Sequence, residues 1–119
     1  MLEVGIVSSK RVPTAIALYP ATLERLNEAA EEEQKSRPDV TADAVTHYLD
    51  ALAEGKAPPP SPPRQFPDKG ARYSTLVRMS PELARRAKEV GREYGVGRQA
   101  VIRAAVVWWL AARGVVVEE

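Results

Sequence analysis

The chain has no cysteine and only one histidine among its 119 residues, which excludes several kinds of functional site. Without thiols it can form neither a disulfide framework nor a thiolate metal site. It also lacks a glycine-rich phosphate loop and any paired-carboxylate arrangement of the kind that supports acid–base catalysis. His47 falls on a predicted helix, where a surface position is the simplest explanation. The sequence therefore predicts no catalytic site, no metal site and no cofactor.

Long apolar runs are also missing. The longest, residues 104–112, has nine residues between Arg103 and Arg113, whereas a helix needs about 20 residues to cross a bilayer. The first residues show neither the basic region nor the apolar stretch of a signal peptide. We therefore expect no membrane segment and a cytoplasmic location, which suits a chain without cysteine.

Positive and negative charges are unevenly distributed, although the net charge is only +1. Residues 1–55 carry five basic and ten acidic side chains, a net charge of −5. Residues 56–119 carry twelve basic and six acidic ones, a net charge of +6. This polarisation predicts a basic face contributed by the second half. The alternative is that both halves merely carry solvated helix surfaces, as we interpret Glu31, Glu32 and Glu33.

Proline is concentrated in one place, because six of the ten prolines lie within residues 56–72. Proline disrupts helices and central strands and favours extended polyproline II structure. At about 3.1 Å per residue this segment could span roughly 50 Å, and we interpret it as a semi-rigid tether. A proline-rich ligand for a peptide-binding domain is the alternative, but the folded-looking segments on both sides favour a tether.

The segments on either side of this tether are alike. Each begins with a short β-favouring stretch, PTAIAL in the first and STLVRM in the second. Each then meets a proline, Pro20 or Pro81, at the start of a helical pattern, where proline is favoured. Ser80 is a suitable N-cap for the second of these helices. The sequence therefore predicts an internal duplication.

Each copy continues with two helices. In the first copy the apolar spacing predicts a helix through Glu33, a break at residues 35–39 and a second helix that opens at residues 40–44. In the second copy it predicts a helix broken at residues 94–97 and a second helix over residues 98–112.

This order of elements resembles the ribbon-helix-helix superfamily of the Arc, MetJ and CopG repressors. It consists of a strand, a helix that starts at a proline, a turn, and a second helix that ends in aliphatic and aromatic residues. The second copy matches over residues 73–110, which include TLVRMSPELARRAKEVGREYGVGRQAVIRAAVVWWL, and the first matches more loosely over residues 13–52. The resemblance implies a mainly α fold with a short two-stranded antiparallel β-ribbon, in which two units of one chain form a pseudo-dimer. We assign the units to residues 1–55 and 73–119, joined by the linker 56–72, and expect them to form one compact domain.

Members of this superfamily dimerise and insert their ribbon into the major groove of DNA. The resemblance therefore implies a protein that binds double-stranded DNA, either a transcriptional regulator or an accessory factor in DNA transfer or processing. The alternative is a protein-interaction module, such as an antitoxin or an assembly scaffold, whose DNA-binding face has degenerated.

Alternation along the strands predicts which side chains would face DNA bases. The positions expected to point towards the helices are Thr14, Ile16, Leu18, Thr75, Val77 and Met79. The positions expected to face outwards are Pro13, Ala15, Ala17, Ser74, Leu76 and Arg78. Arg78 could bind a guanine edge through two hydrogen bonds, and Leu76 could lie on a thymine methyl group. The outward residues of the first strand cannot hydrogen-bond, so we expect one strand to do most of the reading. Complete loss of DNA reading is the alternative.

In this superfamily, phosphates are contacted at the start of the second helix, where free N–H groups and the helix dipole favour anions. Basic residues just before the strands would also reach the DNA backbone. The corresponding positions here are Thr41, Ala42, Gly97 and Arg98 at the helix starts, and Lys10, Arg11, Lys69 and Arg72 before the strands. Thr41 is also explained by an N-cap and Arg98 by a solvated charge.

The last helix carries apolar residues on two faces. The expected core face is formed by Val101, Ala105, Trp109 and Ala112, and the second face by Ala104, Val107, Trp108 and Ala111. A helix that is apolar all round is buried all round. We therefore expect residues 2–7, residues 115–117 or a second copy of the protein to cover the second face, and we favour self-association.

Overall fold

The computed structural model describes residues 12–18, 20–60 and 73–114. Within these residues the elements are two strands and four helices. In chain order they are β1 (Val12–Leu18), α1 (Pro20–Glu33), α2 (Arg37–Ala53), β2 (Tyr73–Met79), α3 (Pro81–Tyr94) and α4 (Arg98–Ala112).

The two strands pair with each other in antiparallel orientation within one chain. The register runs from Val12 opposite Met79 to Leu18 opposite Tyr73. Ile16, Leu18 and Met79 are buried, and all three stand at positions that the sequence predicts to point towards the helices. The described part of β1–β2 therefore contributes to the same core as the helices.

Serine caps and prolines define two of the helix starts. Ser80 caps α3 by accepting a hydrogen bond from the N–H of Leu83 (3.2 Å), which confirms the predicted cap. Ser36 caps α2 in the same way, through the N–H of Asp39 (3.2 Å). The predicted break over residues 35–39 was therefore too long, because a proline is tolerated in the first helical turn and α2 already begins at Arg37.

The α3–α4 turn depends on two glycines. Gly95 ends α3 with φ +75°, a left-handed conformation that favours glycine. The N–H of Val96 then donates to the carbonyl of Gly91 at 2.7 Å, as in a Schellman motif. A Cβ atom on Gly91 would lie 2.7 Å from the carbonyl oxygen of Val96, so only glycine allows this close approach.

A single hydrophobic core joins the two halves of the chain. Helix α2 packs against α4, α2 also contacts β2, and α4 contacts β1. Residues from both halves are fully buried, and the largest of these side chains are Tyr48, Ile16, Leu18, Leu26, Met79, Ile102 and Leu110. Neither half therefore buries its apolar surface alone.

The predicted fold class needs a correction. We expected a ribbon-helix-helix pseudo-dimer, a class defined by its β-ribbon. The body of the molecule is a compact bundle of four helices, which supply most of the described core, whereas β1 and β2 add Ile16, Leu18 and Met79. A two-stranded ribbon cannot form an independent core, so the helices define the class. The prediction of a ribbon-helix-helix pseudo-dimer as the fold class was therefore wrong, and the fold is a four-helix bundle.

The second apolar face of α4 is covered in part by α2. The rings of Tyr48 and Trp108 lie 5.8 Å apart between centroids at an angle of 60°. Ala104 and Trp108 pack against the core, whereas Ala111 is exposed. A helix of the same chain thus supplies cover that we had expected only from the termini or from a second copy. Residues 2–7 and 115–117 lie outside the described residues.

The first residues of the proline-rich linker pack on the bundle. The hydroxyl of Tyr48 donates a hydrogen bond to the carbonyl of Pro58 at 2.7 Å. Pro60 is buried, and Ala57 packs against the core. Residues 56–60 therefore pack on the bundle, and the interpretation of this part of the linker as a semi-rigid tether was wrong. The rest of the linker, residues 61–72, lies outside the described residues.

The C-terminal ends of α1 and α4 are joined by an arginine. Arg113 forms ion pairs with Glu33 (2.5 Å) and Glu32 (2.9 Å). Its guanidinium carbon lies 4.7 Å from the ring centroid of Trp109. The interpretation of Glu32 and Glu33 as a merely solvated helix end was therefore wrong, because they hold a residue about 80 positions away in the sequence.

Within the described residues, no helix combines the length and the apolar character needed to span a bilayer.

Candidate nucleic-acid interface

The positions predicted to face DNA bases lie opposite one another on β1 and β2. The three cross-strand pairs are Ser74 with Ala17, Leu76 with Ala15 and Arg78 with Pro13. Directly opposite residues of an antiparallel pair have Cβ atoms only about 4.5–5.5 Å apart. The buried residues Ile16, Leu18 and Met79 occupy the alternate positions. The register therefore collects the predicted reading positions into one row, which we call the strand row.

The predicted phosphate contacts that precede the two strands were Lys10, Arg11, Lys69 and Arg72. All four lie outside the described residues.

Thr41 and Ala42 do not stand at the start of α2, where we had placed them. The helix begins at Arg37, and Thr41 is fully buried in its second turn. The Thr41 hydroxyl donates a hydrogen bond to the carbonyl of Arg37 at 2.8 Å. The prediction that Thr41 provides an N-cap or a phosphate contact was therefore wrong, because the helix starts earlier in the chain.

Gly97 and Arg98 do stand at the start of α4, as predicted. Gly97 is the N-cap and Arg98 is the first helical residue. Because Gly97 has no side chain, it forms no capping hydrogen bond with the N–H groups of the first turn. The positive end of the helix dipole adds to the charge of Arg98 at this point.

An open cleft of about 480 Å³ lies at this helix start. Its lining residues are Lys88, Arg92, Val96, Gly97, Arg98 and Gln99. Three of these six residues have cationic side chains. In the described part of the chain, no carboxylate lies within 4.0 Å of Lys88, Arg92 or Arg98. This cleft, which we call the basic cleft, therefore has the charge and the openness to accept an anionic group.

Sequence reasoning missed Lys88 and Arg92 as members of this site. Their spacing of four residues places both on one side of α3, which is the signal that could have identified them. Helix α3 also contains Arg85 and Arg86, so the sequence does not show which of its basic residues share a site. Arg86 is used differently, because it forms an ion pair with Asp50 of α2 at 3.2 Å.

Basic residues of the first half are engaged with neighbouring side chains. Lys35 pairs with Asp43 at 2.7 Å, and Arg25 pairs with Glu28 at 3.1 Å. The hydrogen bond and the charge of the Asp43 carboxylate raise the pKa of Lys35. The side chains that remain exposed on α1 include several carboxylates, so this side of the molecule repels anions.

His47 is exposed on α2, which confirms its predicted surface position. Among residues 12–18, 20–60 and 73–114, no group of three or more potential ligand side chains is arranged to hold a metal ion.

No protein-family model, curated protein or solved structure matches the chain. The resemblance to the ribbon-helix-helix superfamily thus stays a prediction, and neither the described residues nor these comparisons support a role in transcription regulation. Function has to be inferred from the chain's own residues.

Proposed function

We propose that this protein binds double-stranded DNA, without catalysis, by placing the paired strands β1 and β2 in the major groove. The observation that carries the proposal is the antiparallel register, which gathers the six predicted reading positions into the strand row. A two-stranded ribbon fits the major groove, which is about 12 Å wide. A cytoplasmic location is part of the same proposal.

In this proposal Arg78 is the main base-reading residue. Arginine can donate two hydrogen bonds to the O6 and N7 atoms of guanine, and this is the most common specific contact between protein and DNA. Ser74 can bond to either kind of base edge, and Leu76 can contact a thymine methyl group. Pro13, Ala15 and Ala17, their partners on β1, contribute shape rather than hydrogen bonds.

The basic cleft supplies the contacts to the DNA backbone. Lys88, Arg92 and Arg98 carry charges that no described carboxylate neutralises, and α4, which begins at the cleft, packs against β1. Phosphate contacts of this kind set the position of a protein on the duplex, while base contacts set its sequence preference.

The test is a titration of the full chain into a labelled mixed-sequence duplex at about 50 and 200 mM salt. Each phosphate contact adds about 0.9 to the slope of log affinity against log salt, so contacts by Lys88, Arg92 and Arg98 alone should weaken binding by on the order of fortyfold between these two conditions. A steep loss of affinity is the expected result. Failure to bind any duplex at either salt concentration would contradict the proposal.

Arg78→Ala tests the strand row directly. We expect it to reduce affinity for a selected site by about 1–3 kcal/mol and to relax sequence preference at one position. The matched control is Arg25→Ala, which removes a cation from the exposed face of α1 and should leave affinity unchanged. An Arg78→Ala variant that binds a selected site as well as the parent would show that the strand row does not read bases.

The apolar composition of β1 supports one other candidate function. A strand row with Pro13, Ala15 and Ala17 on one side suits a contact with an apolar protein surface. If no duplex binds, an antitoxin-like or scaffold-like module with a protein partner becomes the better explanation. Self-association through Val107 and Ala111 of α4 belongs to the same candidate function.

A further inference from the structure

Among the described residues, the two halves of the chain differ both in the strand row and in the cations available to phosphates. From this we infer that the target is a DNA site without twofold symmetry, read through β2 and held by phosphates on one flank only. The inference rests on the proposed DNA binding and adds to it the class of target.

The first line of support is the strand row. In each of its three cross-strand pairs β2 supplies the larger side chain, and both polar members, Ser74 and Arg78, lie on β2. The residues paired with them on β1 are alanine or proline, whose side chains have no hydrogen-bond donor or acceptor. The half of a DNA site that faces β2 would therefore be read by hydrogen bonds. The half that faces β1 would meet only methyl groups and the carbons of a proline ring.

The second line of support is the distribution of available cations. Lys88, Arg92 and Arg98 of the second half line the basic cleft and have no carboxylate partner among the described residues. In the first half, Lys35 and Arg25 are held by Asp43 and Glu28.

The remaining basic residue described in the first half is also engaged. Arg37 is half-buried at the start of α2, and its Nη1 atom donates to Asn27 at 3.2 Å. A phosphate on this side would approach exposed carboxylates of α1, such as Glu24 and Glu31. Backbone contacts on that flank are therefore weaker than those at the basic cleft, since unlike charges attract and like charges repel.

A palindromic site would present the same bases and the same phosphates to these two unequal surfaces. Only half of such a site could be bound favourably, so its second half would add no affinity. The preferred DNA target therefore has one half-site that is read by its bases, and its phosphates are contacted on one flank only.

The experiment is selection of binding sites from a random duplex pool with the full chain, followed by hydroxyl-radical footprinting on the selected site. We expect a consensus without dyad symmetry and backbone protection extending to one side. A palindromic consensus with protection on both flanks would overturn the inference while leaving the proposed DNA binding intact. Absence of binding to any duplex would overturn both.

Charge variants provide a second, independent readout. Lys88→Ala and Arg92→Ala should each reduce the slope of log affinity against log salt by about one. The matched controls are Lys35→Ala and Arg25→Ala, which remove cations from the first half and should leave the slope unchanged. Equal effects of Lys88→Ala and Lys35→Ala would show that both flanks hold phosphates. Because all four side chains are exposed, these substitutions should leave the fold intact.

Discussion

At the scale of single residues, Tyr48 connects three parts of the molecule. Its ring packs on Trp108 of α4, its hydroxyl holds the carbonyl of Pro58, and its own helix is α2. Burial, with a smaller contribution from nearby Tyr94, raises its pKa to about 12. Sequence patterning places Tyr48 on a helix, but it does not show that the hydroxyl has a partner ten positions further along the chain.

The raised pKa of Tyr48 predicts a loss of stability at high pH. Above pH 10 the unfolded chain ionises this tyrosine, while the folded protein keeps it protonated until about pH 12. The unfolded state therefore binds fewer protons in this window, and the free energy of unfolding falls as pH rises from 10 to 12. Urea titrations across this range should show the fall, and it should be smaller for Tyr48→Phe.

Tyr94→Phe is the matched control for this prediction. Tyr94 is 42% exposed and contributes only the smaller part of the rise in the pKa of Tyr48, so Tyr94→Phe should retain most of the fall in stability between pH 10 and 12. If Tyr48→Phe loses as much stability between pH 10 and 12 as the parent protein, Tyr48 is not the group responsible.

At the scale of elements, the helix boundaries follow from local chemistry, but the way helices are joined does not. Ser80 and Pro81 are sufficient to predict the start of α3, and Gly95 is sufficient to predict its end. The contact between Arg113 and the end of α1 has no local signal, because the residues involved are about 80 positions apart.

Arg113→Ala should lower the free energy of unfolding by about 1 kcal/mol. The substitution removes two ion pairs and the contact with the Trp109 ring, and the Arg113 side chain is only 28% exposed. Arg113→Lys should recover part of this loss, because lysine keeps the charge but cannot hold two carboxylates in a fixed planar geometry. Chemical denaturation followed by circular dichroism is the measurement.

Arg25→Ala is again a suitable control, since it removes one ion pair whose side chains are about half exposed. We expect it to cost less than about 0.5 kcal/mol. Equal effects of the two substitutions would mean that the joint between α1 and α4 adds no stability beyond that of a surface ion pair.

At the scale of the whole molecule, the two halves share one core. Strand β1 pairs with β2, and α2 packs against α4, so each half covers the apolar surface of the other. The predicted duplication is consistent with this arrangement. The predicted class was wrong because the strands are short and the helices supply most of the core.

The shared core predicts that cutting the linker will not separate the halves. With a protease site inserted within residues 61–72, the two fragments should still elute together under native conditions. Their unfolding midpoint should then depend on protein concentration, because folding has become an association. The uncut protein with the same insertion is the control, and its midpoint should not vary with concentration. Fragments that elute separately would show that each half folds alone.

The sequence by itself determined the elements and their order, because turn residues, caps and apolar spacing act over a few neighbouring positions. It also predicts which strand positions share a face, since side chains alternate strictly along a strand. Only the tertiary structure decided that Thr41 is buried, that Tyr48 covers Trp108, and that Lys88 and Arg92 join Arg98 in one cleft. These depend on how α2, α3 and α4 approach one another, and that is set by the packing of buried side chains from both halves rather than by any local pattern.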